Sequence, residues 1–388
     1  MRASLGVATI LCACAVDPKA FGATAESSDT SAEETGECTD DCAIALEWEL
    51  ALSGAPLRGA IENTGSLLYT EHDFENGRIW LTRIGSDGND KEVVGEIGPL
   101  VSSFTACGDV IATTDVMGGG YRMERLIDGE PDPTWMTATT AHEGGWPAQM
   151  VCADDGTIRI VGNDVVDGAS TIYLDAIDTG ELVATWSRPV ADVDEVALLG
   201  DSMPVSASAD ILVWAYTNDY EADLRTAEVI RLGPDLVELE TTPLDLGHDH
   251  VMPPVPSGDG WLLVGRSDSG AWLQRLDASF APRGARIVDS AAPIGAVSRI
   301  RSLSDGGIVL AISDEDDFTH PQLRRYDAAG GFVASASLGA LAEHTEGTTV
   351  TALLRDGNGV IVLGIDQIPA GDGVNHILRG WLRSYSFD

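Results

Sequence analysis

The chain has 388 residues, 62 of them acidic and 23 basic, for a formal net charge of −39. A surface this acidic repels phosphate backbones and anionic lipid headgroups, which argues against nucleic acid as a partner. A hydrophobic fraction of 44% is enough for a sizeable core and excludes global disorder.

The first residues form a targeting segment. Met1-Arg2 is a short positive end and residues 3–11 are a short apolar core, well below the ~20 apolar residues a membrane span needs. Leu11-Cys12-Ala13-Cys14 resembles a lipobox, so residues 1–13 read as a lipoprotein-type signal peptide and Cys14 as the lipid-attachment site. Ala15 replaces the aspartate of an inner-membrane retention signal, and the expected address is the outer membrane or cell surface, with the periplasm or secretion as the other exported fates. Residues 14–42 are rich in Ser, Thr, Glu, Ala and Asp without apolar periodicity, and are expected to be a flexible acidic tether. Once Cys12 leaves with the signal and Cys14 is lipidated, Cys38, Cys42, Cys107 and Cys152 remain. An even number in an exported chain predicts two disulfides, Cys38 with Cys42 and Cys107 with Cys152. The second pair precedes turns at matching places in successive repeats and is expected to tie neighbouring units.

From residue 43 onward the chain repeats. A turn near Gly65, Gly108, Gly156, Asp210, Gly260, Gly307 and Gly359 recurs about every fifty residues, the size of a four-stranded propeller blade. Each turn leads into an apolar strand, at 66–70, 110–114, 157–162, 211–215, 261–265, 308–312 and 360–364. Helical periodicity is nearly absent, and β-branched and aromatic runs separated by Gly, Asp and Asn predict antiparallel strands. In the first unit these fall at 57–62, 66–72, 78–84 and 93–97. The last unit has only 349–355, 360–365 and 376–385, whereas residues 43–52 precede the first unit unclaimed. Pairing 43–52 with 377–385 would complete the seventh unit and close the ring, leaving no exposed array end. The expectation is therefore an all-β, seven-bladed β-propeller over residues 43–388, closed by an N-terminal strand on the C-terminal blade.

Gly258-Asp259-Gly260, Gly265, Arg275-Leu276-Asp277 and Phe280 recur as Asp305-Gly306-Gly307, Arg325-Tyr326-Asp327 and Phe332. This pattern resembles the delta-sixty repeat of exported bacterial β-propellers, and the layout is similar to lipid-anchored propellers of complex bacteria. The resemblance implies a fold and an address. Fold alone does not imply function.

No G-x-S-x-G elbow, Walker loop or EF-hand pattern occurs, and no catalytic residue or cofactor is assigned. The acidic run Asp314-Glu315-Asp316-Asp317 reads as a solvated loop. On the blade layout all seven histidines fall on one face of the disc. His142, His248, Asp249, His250 and His344 belong to blade-to-blade connections. Imidazole with carboxylate suits Zn²⁺, Cu²⁺ or Ni²⁺, but long loops collect polar residues anyway, and no metal is assigned. Trp146, in the same connection as His142, is the tryptophan outside the strand cores and a stacking surface for a sugar or peptide. These residues define the candidate ligand face of a non-enzymatic envelope binding or scaffolding module, a monomer whose partner is a protein, glycan or small molecule and which meets the membrane through its N-terminal lipid alone. The alternative is a propeller enzyme (lyase, hydrolase or quinone-dependent dehydrogenase) with an axial His/Asp site.

Overall fold

The apolar runs that recur along the sequence become the middle strands of small antiparallel sheets in a computed structural model, which describes residues 44–387 apart from short connecting segments, 200–209 and 314–320 being the longest. The signal peptide, Cys14, Cys38 and Cys42 lie outside the described residues, as do His248, His320 and His344.

Strand β1 (Ala45–Ala51) comes before the first sheet, which comprises β2 (Ala55–Ile61), β3 (Leu67–Asp73), β4 (Arg78–Ile84) and β5 (Glu92–Ile97) in that order. The second contains β6 (Val101–Cys107), β7 (Val110–Met117), β8 (Gly120–Ile127) and a two-residue β9 (Glu130–Pro131). The third contains β10 (Trp146–Cys152), β11 (Ile158–Val166), β12 (Ala169–Asp178) and β13 (Glu181–Pro189). The fourth contains β14 (Val193–Leu198), β15 (Ile211–Asp219), β16 (Leu224–Leu232) and β17 (Glu238–Leu244). In the fifth the inner strand is split into β18 (His250–Val251) and β19 (Val255–Ser257), both on β20 (Gly260–Ser267), followed by β21 (Gly270–Leu276) and β22 (Pro282–Asp289). Pro253 and Pro254 account for the split, because proline has no N–H for the ladder. The sixth contains β23 (Val297–Ser302), β24 (Ile308–Ile312), β25 (Gln322–Tyr326) and β26 (Phe332–Ser337). Strands β27 (Gly347–Asp356), β28 (Gly359–Pro369) and β29 (His376–Ser386) form the last sheet, and β1 pairs antiparallel with β29, from Ala45 opposite Ser386 to Ala51 opposite Trp381.

The fold is an all-β propeller. Its core lies between sheets rather than within one. Leu354, Ile361, Leu363 and Leu382 of the last sheet pack on Leu67, Tyr69 and Ile84 of the first, and Val309, Ala311 and Leu323 of the sixth pack on Val350, Val362 and Trp381 of the last. A middle strand is therefore covered on both faces, and every residue of Ile308–Ile312 is buried. Outermost strands alternate instead, as in β26 with its period-two exposure. Continuous apolar runs and alternating runs are the same strand type at different radii.

The repeated motif turns out to be structural. Gly258 and Gly306 adopt positive φ (58° and 81°) in the turn after the inner strand. Two and one residues later, Gly260 opens β20 and Gly307 immediately precedes β24, and a Cβ there would lie 2.2 Å from the Leu276 carbonyl oxygen and 2.5 Å from that of Tyr326. The arginine of the Arg-apolar-Asp finish reaches back to the acid of that turn: Arg325 to Asp305 at 2.9 Å, Arg83 to Glu62 at 2.8 Å, and Arg231 to Asp210. The finishing aspartate caps the next hairpin, Asp327 Oδ1 accepting from the Ala329 and Gly331 amides at 2.8 Å each. Cys107 and Cys152, at the ends of inner strands β6 and β10, form a disulfide with a Cα–Cα distance of 5.6 Å that links successive sheets. Trp146, expected in a connection, instead opens β10 opposite Asn163.

Candidate functional site

Because strands alternate in direction, the loops from second to third strand and the connections from an outer strand to the next inner strand open on the same side of the disc. His72, His142, His250 and His376 lie at such places. They are not brought together. His142 enters between the second and third sheets, with Nε2 3.1 Å from Asp175 Oδ2 and Nδ1 3.6 Å from Asp164 Oδ2. Its ring stacks on Tyr173 at 3.9 Å. Asp175, fully buried on β12, also accepts from Tyr121 Oη at 2.7 Å and Thr185 Oγ1 at 2.6 Å. Burial, then the charges of Asp175 and Asp164, push the Tyr173 hydroxyl pKa upward, so that group stays a neutral phenol. Asp249 instead accepts from Arg286 Nη1 at 2.9 Å, and the exposed His250 meets the ring of Tyr216 edge-on at 5.4 Å. His376 pairs with Glu346 at 2.8 Å. Burial lowers the pKa of His72 to about 4. The His142, Asp249 and His250 side chains thus lie apart, each with a partner of its own. Among the described residues no group of three or more His, Cys, Asp and Glu is arranged to hold a metal ion.

The His142 cluster has counterparts elsewhere, which identifies what it does. Glu71 on β3 receives the Ser53 hydroxyl at 2.7 Å, the Gly54 amide at 3.1 Å and Lys91 Nζ at 2.8 Å. Burial works to raise its pKa, and these donors outweigh it and hold the carboxyl below its ordinary value. Asp289 receives Arg324 Nη2 at 2.6 Å and Tyr326 Oη at 2.7 Å, with the same balance and the same direction. Asp366 receives the Leu341 amide at 2.8 Å, Thr348 Oγ1 at 2.9 Å and Trp381 Nε1 at 3.1 Å. At each of these places a carboxylate, buried or nearly so, fastens a connection or an outer strand to middle strands. A buried polar group must find such partners, because leaving one unsatisfied costs roughly 1–3 kcal/mol.

The second concentration of charge lies on the innermost strands. Arg58 occupies the bulge of β2 between Pro56 and Gly59, and Arg299 follows the bulge of β23 after Val297. Bulges also interrupt β10 before Gln149, β14 before Glu195 and β27 after Val350, so the inner strands share one irregular level near their starts. Arg299 donates Nε to the Thr351 carbonyl at 2.7 Å, and Thr351 donates its hydroxyl to the Pro56 carbonyl at 2.6 Å, which sets β23, β27 and β2 at one height. The Arg299 pKa is pushed down to about 10 by burial first, then by the like charges of Arg58 and Arg301, against the opposing pull of Glu195 on β14. The two hydrogen bonds, not the charges, are what join these inner strands directly. Arg58 is exposed by surface area, yet surrounding protein desolvates it and lowers its pKa. The sequence reading missed these arginines. Their signal was a basic residue on an inner strand, at a level where the others carry Ser, Gln, Glu or Thr.

No family model matches the sequence, and no curated protein matches it. Solved structures share its fold at low identity. A polysaccharide lyase, Uly1, superposes with a TM-score of 0.56 at 8% identity, covering 88% of this chain and 100% of that one. A puromycin-hydrolyzing peptidase of Mycobacterium tuberculosis gives 0.56 at 12% identity, covering 84% of this chain; the match spans only 53% of the peptidase. The Dos1 propeller gives 0.52 at 10% identity, covering 89% and 96%. These likenesses concern the fold.

Proposed function

We propose that the chain is an exported, lipid-anchored binding module: a closed ring of seven blades that presents its recognition site at the axis and catalyses no reaction. The observation that carries this reading is the division of labour among polar side chains. The described histidine and carboxylate clusters fasten blade junctions, whereas the groups gathered about the axis are arginines and a glutamate, which suit charge recognition. Two features support closure: the pairing of β1 with β29 and the apolar contact between the last and first sheets. A disulfide between β6 and β10 fits an oxidising compartment, in keeping with the signal read at residues 1–13 and lipidation at Cys14. The repeat pattern supports kinship with the delta-sixty type of exported propeller, and the module is proposed to act as a monomer.

The similarity to a polysaccharide lyase and a peptidase propeller keeps catalysis as the competing reading. Glycan and peptide arrays probed with the intact chain, coupled to mass spectrometry of the incubated compounds, separate the two. Ala148 is exposed on the inner strand β10, within its bulge, and Ala148→Trp places an indole in the axial space. The proposal expects a bound compound recovered unchanged, with binding lost in Ala148→Trp. Turnover of any compound, or binding indifferent to the plug, contradicts it.

A further inference from the structure

A cavity of about 420 Å³ lies where β1 is laid on β29, beside the turn that joins β4 to β5 and the turn that joins β27 to β28. We propose that it receives an organic cation, an aliphatic ammonium or a guanidinium group, held by the carboxylates of Glu47, Asp87 and Asp356; this goes beyond the axial recognition proposed above and does not rest on it.

Three segments build the walls. On β1 the half-buried Trp48 lies between the exposed Glu47 and Glu49. Trp48 donates Nε1 to the Ser86 carbonyl at 2.9 Å and packs on Gly88, where a Cβ would lie 2.8 Å from the indole. Gly88 also has a positive φ of 77°, so both the turn and the close approach call for glycine. That packing brings Asp87 to the same cavity as Glu47, and Asp356, the last residue of β27, borders it from the last sheet. Ser384 and Ser386 of β29 add hydroxyls.

Elsewhere in this acidic chain carboxylates meet bases, as Glu71 meets Lys91 and Asp305 meets Arg325. Among the described residues no lysine, arginine or histidine lines this cavity. Glu47 accepts from the Ser386 hydroxyl, and Asp87 accepts from the Asn89 amide at 3.0 Å and from Asn89 Nδ2 at 3.2 Å. The half-buried Asp356 carboxylate has no hydrogen bond or ion pair among the described residues. Burial therefore pushes it above its ordinary value with nothing to oppose the shift. A partly desolvated acid without a donor weakens a fold until something supplies the donor. An ammonium or guanidinium brings several N–H donors at once and can serve carboxylates on different walls. A bare metal ion fits less well, since no group of acids among the described residues is arranged to coordinate one. The volume falls within the range of small-ligand sites, and the overall negative charge concentrates cations at the surface.

The experiment is a set of thermal melts of the full-length chain at constant ionic strength. The probes are butylammonium, N-acetyl-lysine methylamide and N-acetyl-arginine methylamide, with tetramethylammonium as a cation that has no N–H donor. A ligand that binds the folded form alone raises the midpoint by mass action. The inference predicts a rise with at least one N–H cation beyond tetramethylammonium. Butylammonium against the blocked residues distinguishes a free amine from a peptide side chain, and the two blocked residues distinguish ammonium from guanidinium. Asp356→Ser should weaken that cation about tenfold or more, the loss expected of one charged hydrogen-bond partner. Without the cation it should melt no lower than the parent, because the carboxylate it removes is unpaired. Glu181→Gln removes an equal charge from an exposed place on β13 and should leave the response as in the parent. Four results overturn the inference: no rise beyond tetramethylammonium, an unchanged response in Asp356→Ser, an equal loss in Glu181→Gln, or an Asp356→Ser chain that melts well below the parent without the cation.

Discussion

Arg299 Nε lies 2.7 Å from the carbonyl oxygen of Thr351, carrying a guanidinium from one inner strand onto the next. Thr351 passes the link on to Pro56 through its hydroxyl. The position of the Arg299 guanidinium is thus tied to how β23, β27 and β2 are fastened to one another. Thr351→Val keeps the shape and removes the hydroxyl, leaving the Pro56 carbonyl without this donor. The expected cost is about 1 kcal/mol in urea denaturation, with an unchanged slope. An unaltered midpoint would mean that the link contributes nothing.

Gly364 sits directly opposite Trp381, and a Cβ at Gly364 would lie 2.0 Å from the indole. Gly265 and Trp272 repeat the arrangement at 2.1 Å. The glycine that ends the apolar strand is there so that the tryptophan can lie across it. Gly364→Ala should destabilise by about 1–3 kcal/mol through overpacking, and Trp381→Leu in the same chain should relieve much of that cost. A double-mutant cycle with no coupling between the two positions would contradict this explanation.

Asp175 holds three donors from three different segments. Asp175→Ala leaves His142, Tyr121 and Thr185 without their shared acceptor, and a loss of about 3–5 kcal/mol is expected. Asp175→Asn keeps an acceptor oxygen and should lose less. Equal losses in guanidinium unfolding for both variants would indicate a packing role rather than a clamp.

His72 provides a pH dependence. Its folded pKa, about 4, lies below the ordinary 6.5, so between those values the unfolded chain binds a proton that the folded chain does not. Stability is therefore lost as pH falls from about 6.5 to about 4. Because the ring is half-buried, the contribution is about 1–2 kcal/mol after allowing for solvent screening. Urea midpoints at pH 7.5 and 4.5 should differ less in His72→Gln than in the parent. The same difference in both would contradict the assignment.

Much of the fold was legible because a propeller writes its radial order into the sequence. Ile308–Ile312 and Arg78–Ile84 stand out at their observed limits, since strands covered on both faces must be apolar and outer strands must alternate. The two-residue β9 was not legible, as so short a pairing leaves no periodic trace. Histidine positions could be assigned to a side of the disc but not to partners. Asp164 and Asp175 lie outside the 157–162 strand named from the sequence, and a carboxylate inside an apolar run such as Ile172–Ile177 was the clue to a buried acceptor. The axial arginines were hidden for a different reason: a bulge, set by backbone geometry rather than residue type, decides which inner-strand residue faces the axis.

The most direct test of the account is a crystal structure of the chain soaked with the compound that the arrays select. The account predicts that compound, chemically unchanged, against the inner strands of the propeller, and no such density in crystals of Ala148→Trp. A compound seated away from the inner strands, or recovered as a reaction product, would contradict it.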